Sequence, residues 1–414
     1  MSVDVRSAAD VHRARDFQLF WLSGTVDRLG SHAAGIAFPL MTLVATGSPT
    51  ATGFVGAMAV AGRIVAAPVA GVLADRWPRR QMMVAAMLLA AAATGVVFAA
   101  VATDALTSIT VAVALLSVTA FVEGVAQAGY GAAGSGALRQ VLPPDNQRAL
   151  AQLEARNHAV QIAGPMLGGA LYQLARWVPF LADTLSYLVA AALVSQVRTP
   201  LRPQHTQPTR LVADLRAGVR FVWQHPFLRF VTLWAASINF IFGALLYGAI
   251  LTSGRRGALP LSTGLIVTVA SVGGLTGAML APRILRHVRP KTVIFCSSWL
   301  MVAVVAALSQ AEQTWSYGLL FGLVSLFSPV LGIILQSKMI MSTPDRMQAR
   351  VATVMRTIGD CIELPAPLLA GVLVSHYSPA GVTTIFAAML ALLALYTTSH
   401  LGLLVTATPS DEVN

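Results

Sequence analysis

The chain of 414 residues is 56% hydrophobic and only 11% charged, with a mean hydropathy of +0.70. A soluble domain carries about 25% charged residues, so this composition excludes a soluble globular protein and indicates a polytopic membrane protein. The net charge of +11 does not predict nucleic-acid binding, because the basic residues are dispersed in short segments and not gathered on one face.

Twelve apolar runs in the sequence have the length of about 20 residues that a bilayer core requires. We number these runs as spans 1 to 12 and predict that each is a transmembrane helix. They cover residues 17–45, 51–74, 82–103, 107–137, 150–175, 178–197, 227–252, 260–285, 291–310, 314–340, 351–375 and 380–405.

The basic residues are distributed asymmetrically about these spans. Of the 28 Lys and Arg residues, 23 lie at the N-terminus, after even-numbered spans or at the adjoining span ends, and three lie on the opposite side. Positively charged segments stay in the cytoplasm. We therefore predict a multi-pass protein of the inner (plasma) membrane with both termini in the cytoplasm.

The longest break between spans divides the chain into two halves. We predict a six-helix bundle at 1–197, a cytoplasmic linker at 198–226 and a second six-helix bundle at 227–414. Apolar residues recur every three or four positions over 211–222, which predicts an amphipathic helix on the membrane surface. A linker packed in the aqueous phase is the alternative. Residues 164–169 align with 366–371, so the halves read as a parallel repeat.

The segment between spans 2 and 3, residues 71–80, reads GVLADRWPRR. It resembles the signature loop of the major facilitator superfamily, G-x-L-A-D-R-x-G-R-R, with Pro78 in place of a glycine. The resemblance implies a twelve-helix transporter whose loop acts as a latch that holds the cytoplasmic side closed. The latch residues would be Gly71, Asp75, Arg76, Arg79 and Arg80.

A second motif, GPMLGG, occupies residues 164–169 in span 5. Gly164, Gly168 and Gly169 allow two helices to approach closely, and Pro165 removes a backbone donor. A plain packing groove explains these residues. The run also resembles the helix-5 motif of antiporters in the same superfamily. With its surroundings it resembles the drug-exporting branch that includes macrolide and siderophore exporters, which implies export in exchange for protons through a cavity lined by spans 1, 4, 7 and 10.

Charged residues inside the spans are the candidates for proton coupling, since each costs several kcal/mol unless it is paired or hydrated. Asp27 and Arg63 have similar predicted depths, so they can form an ion pair, either static or with Asp27 exchanging a proton. Arg28 projects about 100° away from Asp27 and needs another partner. Asp183, near the end of span 6, is interpreted as structural. The predicted coupling acids are Asp27, Glu123, Asp360 and Glu363.

Other classes of function have little support in the sequence. There is no G-x-x-x-x-G-K-[ST] nucleotide loop and no His/Cys/Asp group at ligand spacing, so we predict no ATP site, no metal, no cofactor and no enzyme. The predicted partners are a small amphipathic molecule, protons and the lipid bilayer, and we expect a monomer. A proton-coupled uptake carrier and a non-transporting membrane receptor are the alternatives.

Overall fold

The computed structural model describes residues 3–143, 146–201, 211–310, 314–400 and 402. These residues form fourteen α-helices and one short 3-10 helix, with no strand among them, so the predicted all-α class is confirmed. The helices are α1 (Val3–Thr46), α2 (Pro49–Arg76), α3 (Arg79–Ala102), α4 (Ile109–Val141), α5 (Asn146–Leu174), α6 (Val178–Ser195), α7 (Leu211–Gln224), α8 (Pro226–Arg255), α9 (Pro260–His287), α10 (Pro290–Ala307), α11 (Thr314–Met341), α12 (Asp345–Glu363), α13 (Ala366–His376) and α14 (Pro379–Ser399).

In the described part of the chain, eleven helical segments are long and apolar enough to cross a membrane. The predicted span 5 corresponds to α5, which is not among the eleven and whose first half carries Glu154, Arg156 and His158. With 29 residues, α5 still exceeds the length of about 20 residues that a bilayer core requires. Counted together with α5, the helices number twelve, as the sequence predicts.

The predicted span 11 is not one continuous helix. α12 ends at Glu363 and α13 begins at Ala366, with Leu364 and Pro365 between them. A proline ring has no N–H to donate and clashes with the carbonyl of the residue four positions earlier, which interrupts the helix. Glu363 therefore lies at the end of a helix, where the sequence places it inside one.

The backbone forms two compact units. Unit 1 comprises Met1–Gln207 together with Ile250–Thr268, and unit 2 comprises Pro208–Ala249 together with Val269–Asn414. The strongest helix packing in unit 1 joins α2 to α4, α1 to α5 and α6, and α3 to α4 and α6. In unit 2, α10 packs on α14 and α11, and α7 packs on α12. The boundaries predicted at residues 197 and 227 stay predictions.

Small residues make the α2–α4 contact possible. A Cβ at Gly62 would collide with the carbonyl oxygen of Phe121, and a Cβ at Gly124 would collide with that of Ala59. Lipid tails are as apolar as the side chains they meet, so helices in a membrane associate largely through such close packing.

The segment 211–222, predicted as an amphipathic helix, is helical in the structure and belongs to α7. Its Val222 is buried together with Leu228, Val351 and Val354, and a Cβ at Gly218 would meet Val354 at 2.8 Å. The helix therefore packs on α12 in unit 2, and its location at a membrane surface stays a prediction. The Pro-rich part of the predicted linker, residues 202–210, lies outside the described residues.

Asp16 on α1 fixes the chain that follows α6, a role that the sequence analysis missed. Its side chain is 2% exposed. The carboxylate accepts hydrogen bonds from the backbone N–H of Arg198 at 3.1 Å, from the N–H of Thr199 at 2.7 Å and from the Thr199 hydroxyl at 2.6 Å. α1 is thereby tied to the start of the predicted linker.

We expect Asp16→Ala to lower the free energy of unfolding by about 2 kcal/mol, because a buried donor left without an acceptor costs about 1–3 kcal/mol. Unfolding of the purified protein in detergent micelles would measure the change. Asp104→Asn removes a carboxylate from an exposed loop and serves as the control with unchanged stability. Equal stability of the Asp16 and Asp104 variants would show that the carboxylate does not hold this segment.

Candidate functional site

Three acidic residues on α1, α4 and α6 come together in unit 1. Asp183 is fully buried and Glu123 is 9% exposed, while Asp27 is partly buried. The charge of Asp183 acts on Glu123, and the charge of Asp27 acts on Asp183. Asp183, interpreted from the sequence as structural, therefore links two of the predicted coupling acids, because it interacts with both Asp27 and Glu123.

The absence of a side chain at Gly30 creates the space for Asp183. A Cβ at Gly30 would lie 2.7 Å from Asp183 Oδ1 and would overlap the Ser186 hydroxyl. The Ser186 hydroxyl donates to the Asp183 carbonyl oxygen at 2.8 Å. Gly30 lies three residues after Asp27, so the two positions are on one face of α1. This face of α1 therefore meets the buried acid of α6.

Two arginines place positive charge near Asp27. The charges of Arg28 and Arg156 both act on its carboxylate. Arg156 is 8% exposed, and its guanidinium donates to the Trp21 carbonyl at 3.2 Å and to Asn157 Oδ1 at 2.9 Å. Arg156 is a site residue that sequence reasoning missed, because nothing in the order of spans indicates that α5 places an arginine near Asp27.

The ion pair that depth predicts between Asp27 and Arg63 is not formed among the described residues, where no nitrogen of Arg63 lies within 4.0 Å of the Asp27 carboxylate. Arg63 is on α2, and its backbone amide lies against Gly124 of α4. α1 packs mainly with α5 and α6. Similar depth on consecutive helices therefore does not make these two side chains face each other.

A double-mutant cycle tests whether Arg156 or Arg63 is the cation that interacts with Asp27. We expect Asp27→Asn and Arg156→Ala to be coupled by about 1 kcal/mol in unfolding free energy, because the charge of Arg156 acts on the Asp27 carboxylate, although these two described residues form no ion pair within 4.0 Å. The cycle of Asp27→Asn with Arg63→Ala should be additive within about 0.5 kcal/mol. Stronger coupling to Arg63 than to Arg156 would overturn this assignment of the cations.

The helix-5 motif is a surface of close approach. A Cβ at Gly164 would collide with His32 of α1, a Cβ at Gly168 with the carbonyl oxygen of Ala33, and a Cβ at Gly169 with that of Pro260 at the start of α9. Each glycine of the motif therefore brings another segment of unit 1 against α5.

The start of α9 completes this contact. A Cβ at Gly264 would collide with the carbonyl oxygen of Pro165, and the Thr268 hydroxyl donates to the Ile162 carbonyl at 2.8 Å. The packing that the sequence predicts for small residues is present. The role of the motif in antiport stays a prediction.

In unit 1, two of the three arginines of the signature loop bind backbone carbonyls. Arg79 Nη1 donates to the Gly136 carbonyl at 3.2 Å, and Arg80 Nη1 donates to the Val197 carbonyl at 2.9 Å. Asp75 and Arg76 are exposed, and a Cβ at Gly71 would meet nothing within 4 Å. Arg79 and Arg80 thus fix the loop to α4 and to the residue after α6, while the latch role of all five residues stays a prediction.

Unit 2 contains a cavity of about 620 Å³, which lies within the range of about 300–1,000 Å³ typical of ligand pockets. Its walls come from α8, α9, α10 and α11, with Glu363 at the end of α12. Asp360, one turn earlier on α12, does not line the cavity. The lining is mostly apolar and includes the rings of Trp234, Phe242 and Phe321 and the polar side chains of Asn239, Ser325, Ser328 and Gln336.

Comparison with known proteins identifies the family. The sequence model of the Major Facilitator Superfamily matches residues 20–362. The chain belongs to the Major Facilitator Superfamily. It is therefore a multi-pass membrane transporter and not an enzyme, and transporters of this kind need no cofactor.

Two curated relatives of this superfamily member are exporters by name. The chain is 28% identical over 366 residues to the multidrug efflux pump Tap of Mycobacterium tuberculosis, with 83% of each chain covered. It is 25% identical over 376 residues to the enterobactin exporter EntS of Salmonella typhimurium, which covers 86% of this chain and 85% of that protein.

Solved structures show the same fold at low sequence identity. A bacterial homologue of the iron transporter ferroportin, in an inward-facing state, matches with a TM-score of 0.71 at 16% identity, covering 94% of this chain and 99% of that one. The nucleoside transporter NupG matches with a TM-score of 0.71 at 11% identity, covering 94% and 98%. These likenesses establish the fold of the transporter and carry no information about its substrate.

Proposed function

We propose that this transporter exports small amphipathic compounds in exchange for protons, by alternating access. The observation that carries the proposal is the cavity of unit 2, whose aromatic and aliphatic walls suit an apolar molecule and whose Glu363 and amide side chains suit a polar end. The names of the two exporting relatives support the same direction of transport.

Proton exchange supplies the energy in this proposal. Export against a concentration gradient needs a coupled downhill step, and protons entering the cell provide one. A ligand shifts an equilibrium only if it binds the two states with different affinities. A proton therefore biases the two access states if an acid binds it more tightly in one state than in the other. We propose Asp27 as the principal coupling acid, because it is partly buried and interacts electrostatically with the buried Asp183.

The remaining acids are given separate roles in the proposal. Glu363 faces the cavity and would contact the compound, while Glu123 and Asp360 are further candidates for proton binding. We further propose that the transporter lies in the inner membrane as a monomer, with both termini in the cytoplasm. The charge asymmetry of the sequence supports the orientation.

A growth assay tests the function. Cells that carry the gene should tolerate several-fold higher concentrations of at least one amphipathic toxic compound than cells with an empty vector. Glu363→Gln should lose that protection while reaching the same level in membranes, and Asp104→Asn should keep it. Greater sensitivity of cells with the gene would indicate an uptake carrier. Unchanged growth with every compound of a broad amphipathic panel would contradict the export proposal and favour a non-transporting receptor.

A further inference from the structure

The carboxyl groups of Glu123 and Asp183 are buried side chains with unsatisfied oxygens. Asp183 is 0% exposed and Glu123 is 9% exposed. Glu123 Oε1 and Asp183 Oδ2 have no hydrogen-bond partner in the part of the chain that the structure describes. Asp183 is interpreted from the sequence as structural, but a carboxylate kept for structure is normally satisfied by donors, as Asp16 is.

No cation compensates these two acids. Among the described residues, no Arg, Lys or His nitrogen lies within 4.0 Å of either carboxyl group. A buried ion without a partner is strongly destabilising, and two carboxylates close to each other cannot both remain ionised in a dry site. The stable arrangement therefore needs at least one proton on the pair.

The surrounding helices supply no charge that changes this conclusion. From α1, Asp27 adds a further negative charge near Asp183, and from α6 the hydroxyl of Tyr187 contacts the Ser31 hydroxyl at 3.0 Å. α3 has no titratable residue between Gln81 and Ala102. Other titratable or charged groups on the helices packed around the pair include Arg28 and His32 on α1, Arg63 on α2, Tyr130 on α4, and Glu154, Arg156 and His158 on α5.

The arginines among these groups, and His158, have other contacts or positions. Arg156 binds Trp21 and Asn157, and His158 lies 3.5 Å from Glu154. Arg28 is exposed, and Arg63 forms no ion pair with any of the three acids among the described residues. None of these three arginines, nor His158, therefore neutralises the pair.

We propose that Glu123 and Asp183 form a two-carboxyl proton site in unit 1, in which Asp183 is the second proton-binding group of the transporter's coupling machinery. The proton moves between carboxylate oxygens by breaking one O–H bond and forming another. Asp27, which is partly exposed, delivers the proton to the pair or removes it. The role of the pair in coupling rests on the proposed antiport, whereas its occupation by a proton does not.

Gly30 sets the geometry of this site. Its missing side chain lets α1 approach Asp183, and the collision that a Cβ would make with Ser186 shows how little room remains. The α1 face that carries Asp27 is thereby held directly against Asp183.

Infrared spectroscopy of the purified full-length protein at neutral pH tests the proposal. The wild type should show the carbonyl stretching band of a protonated carboxylic acid. Because the site is buried, transfer into D₂O should shift the frequency of this band only slowly. The double variant Glu123→Gln/Asp183→Asn should lose this band, and Asp104→Asn should retain it. The amides match the protonated acids in size, so we expect both variants to fold.

Two results would overturn the proposal. One is the absence of the band in the wild type, a measurement that needs no variant. The other is full retention of the band in the double variant. The single variants Glu123→Gln and Asp183→Asn provide the same comparison where the double variant is poorly folded. If the infrared band is present but the gene gives no protection in the growth assay, the export proposal is contradicted and the proton site is supported. If the gene gives protection but the band is absent, export is supported and the proton site is contradicted.

Discussion

Replacing Gly168 by alanine is expected to remove most folded protein from the membrane. The added Cβ would meet the carbonyl oxygen, Cα and carbonyl carbon of Ala33. These are backbone atoms, so no side-chain rotation relieves the overlap and α1 has to move away from α5. Overpacking costs about 1–3 kcal/mol and sometimes more, which is a large share of a total stability of about 5–15 kcal/mol.

Gly131→Ala on α4 is the matched control. A Cβ there would meet nothing within 4 Å, and alanine favours a helix over glycine by about 0.5–1 kcal/mol. We expect Gly131→Ala to fold as well as the wild type or slightly better. Membrane abundance and thermal unfolding in detergent measure both variants. Equal behaviour of Gly168→Ala and Gly131→Ala would show that the helix-5 motif does not hold α1 and α5 together.

Asp27→Asn is expected to abolish uphill export completely while exchange down a concentration gradient continues. The amide has the size of the acid but cannot release a proton, so the coupled step is lost and the access states still interconvert. Transport into vesicles with an imposed pH gradient measures the uphill step. Equilibration of a labelled compound across the same vesicles without a pH gradient measures the downhill step. The compound would be one to which the gene confers resistance.

Asp104→Asn provides the control for a lost carboxylate, because Asp104 is exposed in the turn after α3 and its positive φ of 51° suits asparagine. It should leave both steps unchanged. If the Asp27 variant keeps pH-driven export, the coupling role passes to Glu123 or Glu363. Loss of both steps with normal folding would instead mean that Asp27 binds the compound or moves the helices.

Sequence reasoning predicts the helices well because a bilayer imposes a minimum apolar length on each of them. The break between α12 and α13 was not predicted, although Pro365 lies inside the predicted span. Proline is not a sufficient signal here, since α2 and α11 continue through Pro68 and Pro329. A proline leaves one backbone carbonyl of the preceding turn without its helical donor. The helix continues where neighbouring groups satisfy that carbonyl, which depends on tertiary packing.

The partners of charged residues are harder to predict than the helices. Depth along a span can be counted, but the direction in which a side chain points depends on which helices pack together. Asp27 and Arg63 match in depth, yet Arg156 of α5 is the buried cation whose charge acts on Asp27. Asp183 carried one usable signal, an acid within the apolar run PFLADTLSYL, but its neighbours Gly30 and Glu123 are distant in sequence.

Proton movement in reconstituted vesicles tests the central claim most directly. The purified transporter is placed in liposomes with a pH-sensitive dye trapped inside, and a compound identified by the growth assay is added outside at equal pH. Proton antiport predicts that the compound enters as protons leave, so the interior becomes more alkaline than in protein-free liposomes. Acidification of the interior, or compound entry with no change in pH, would contradict export by proton exchange.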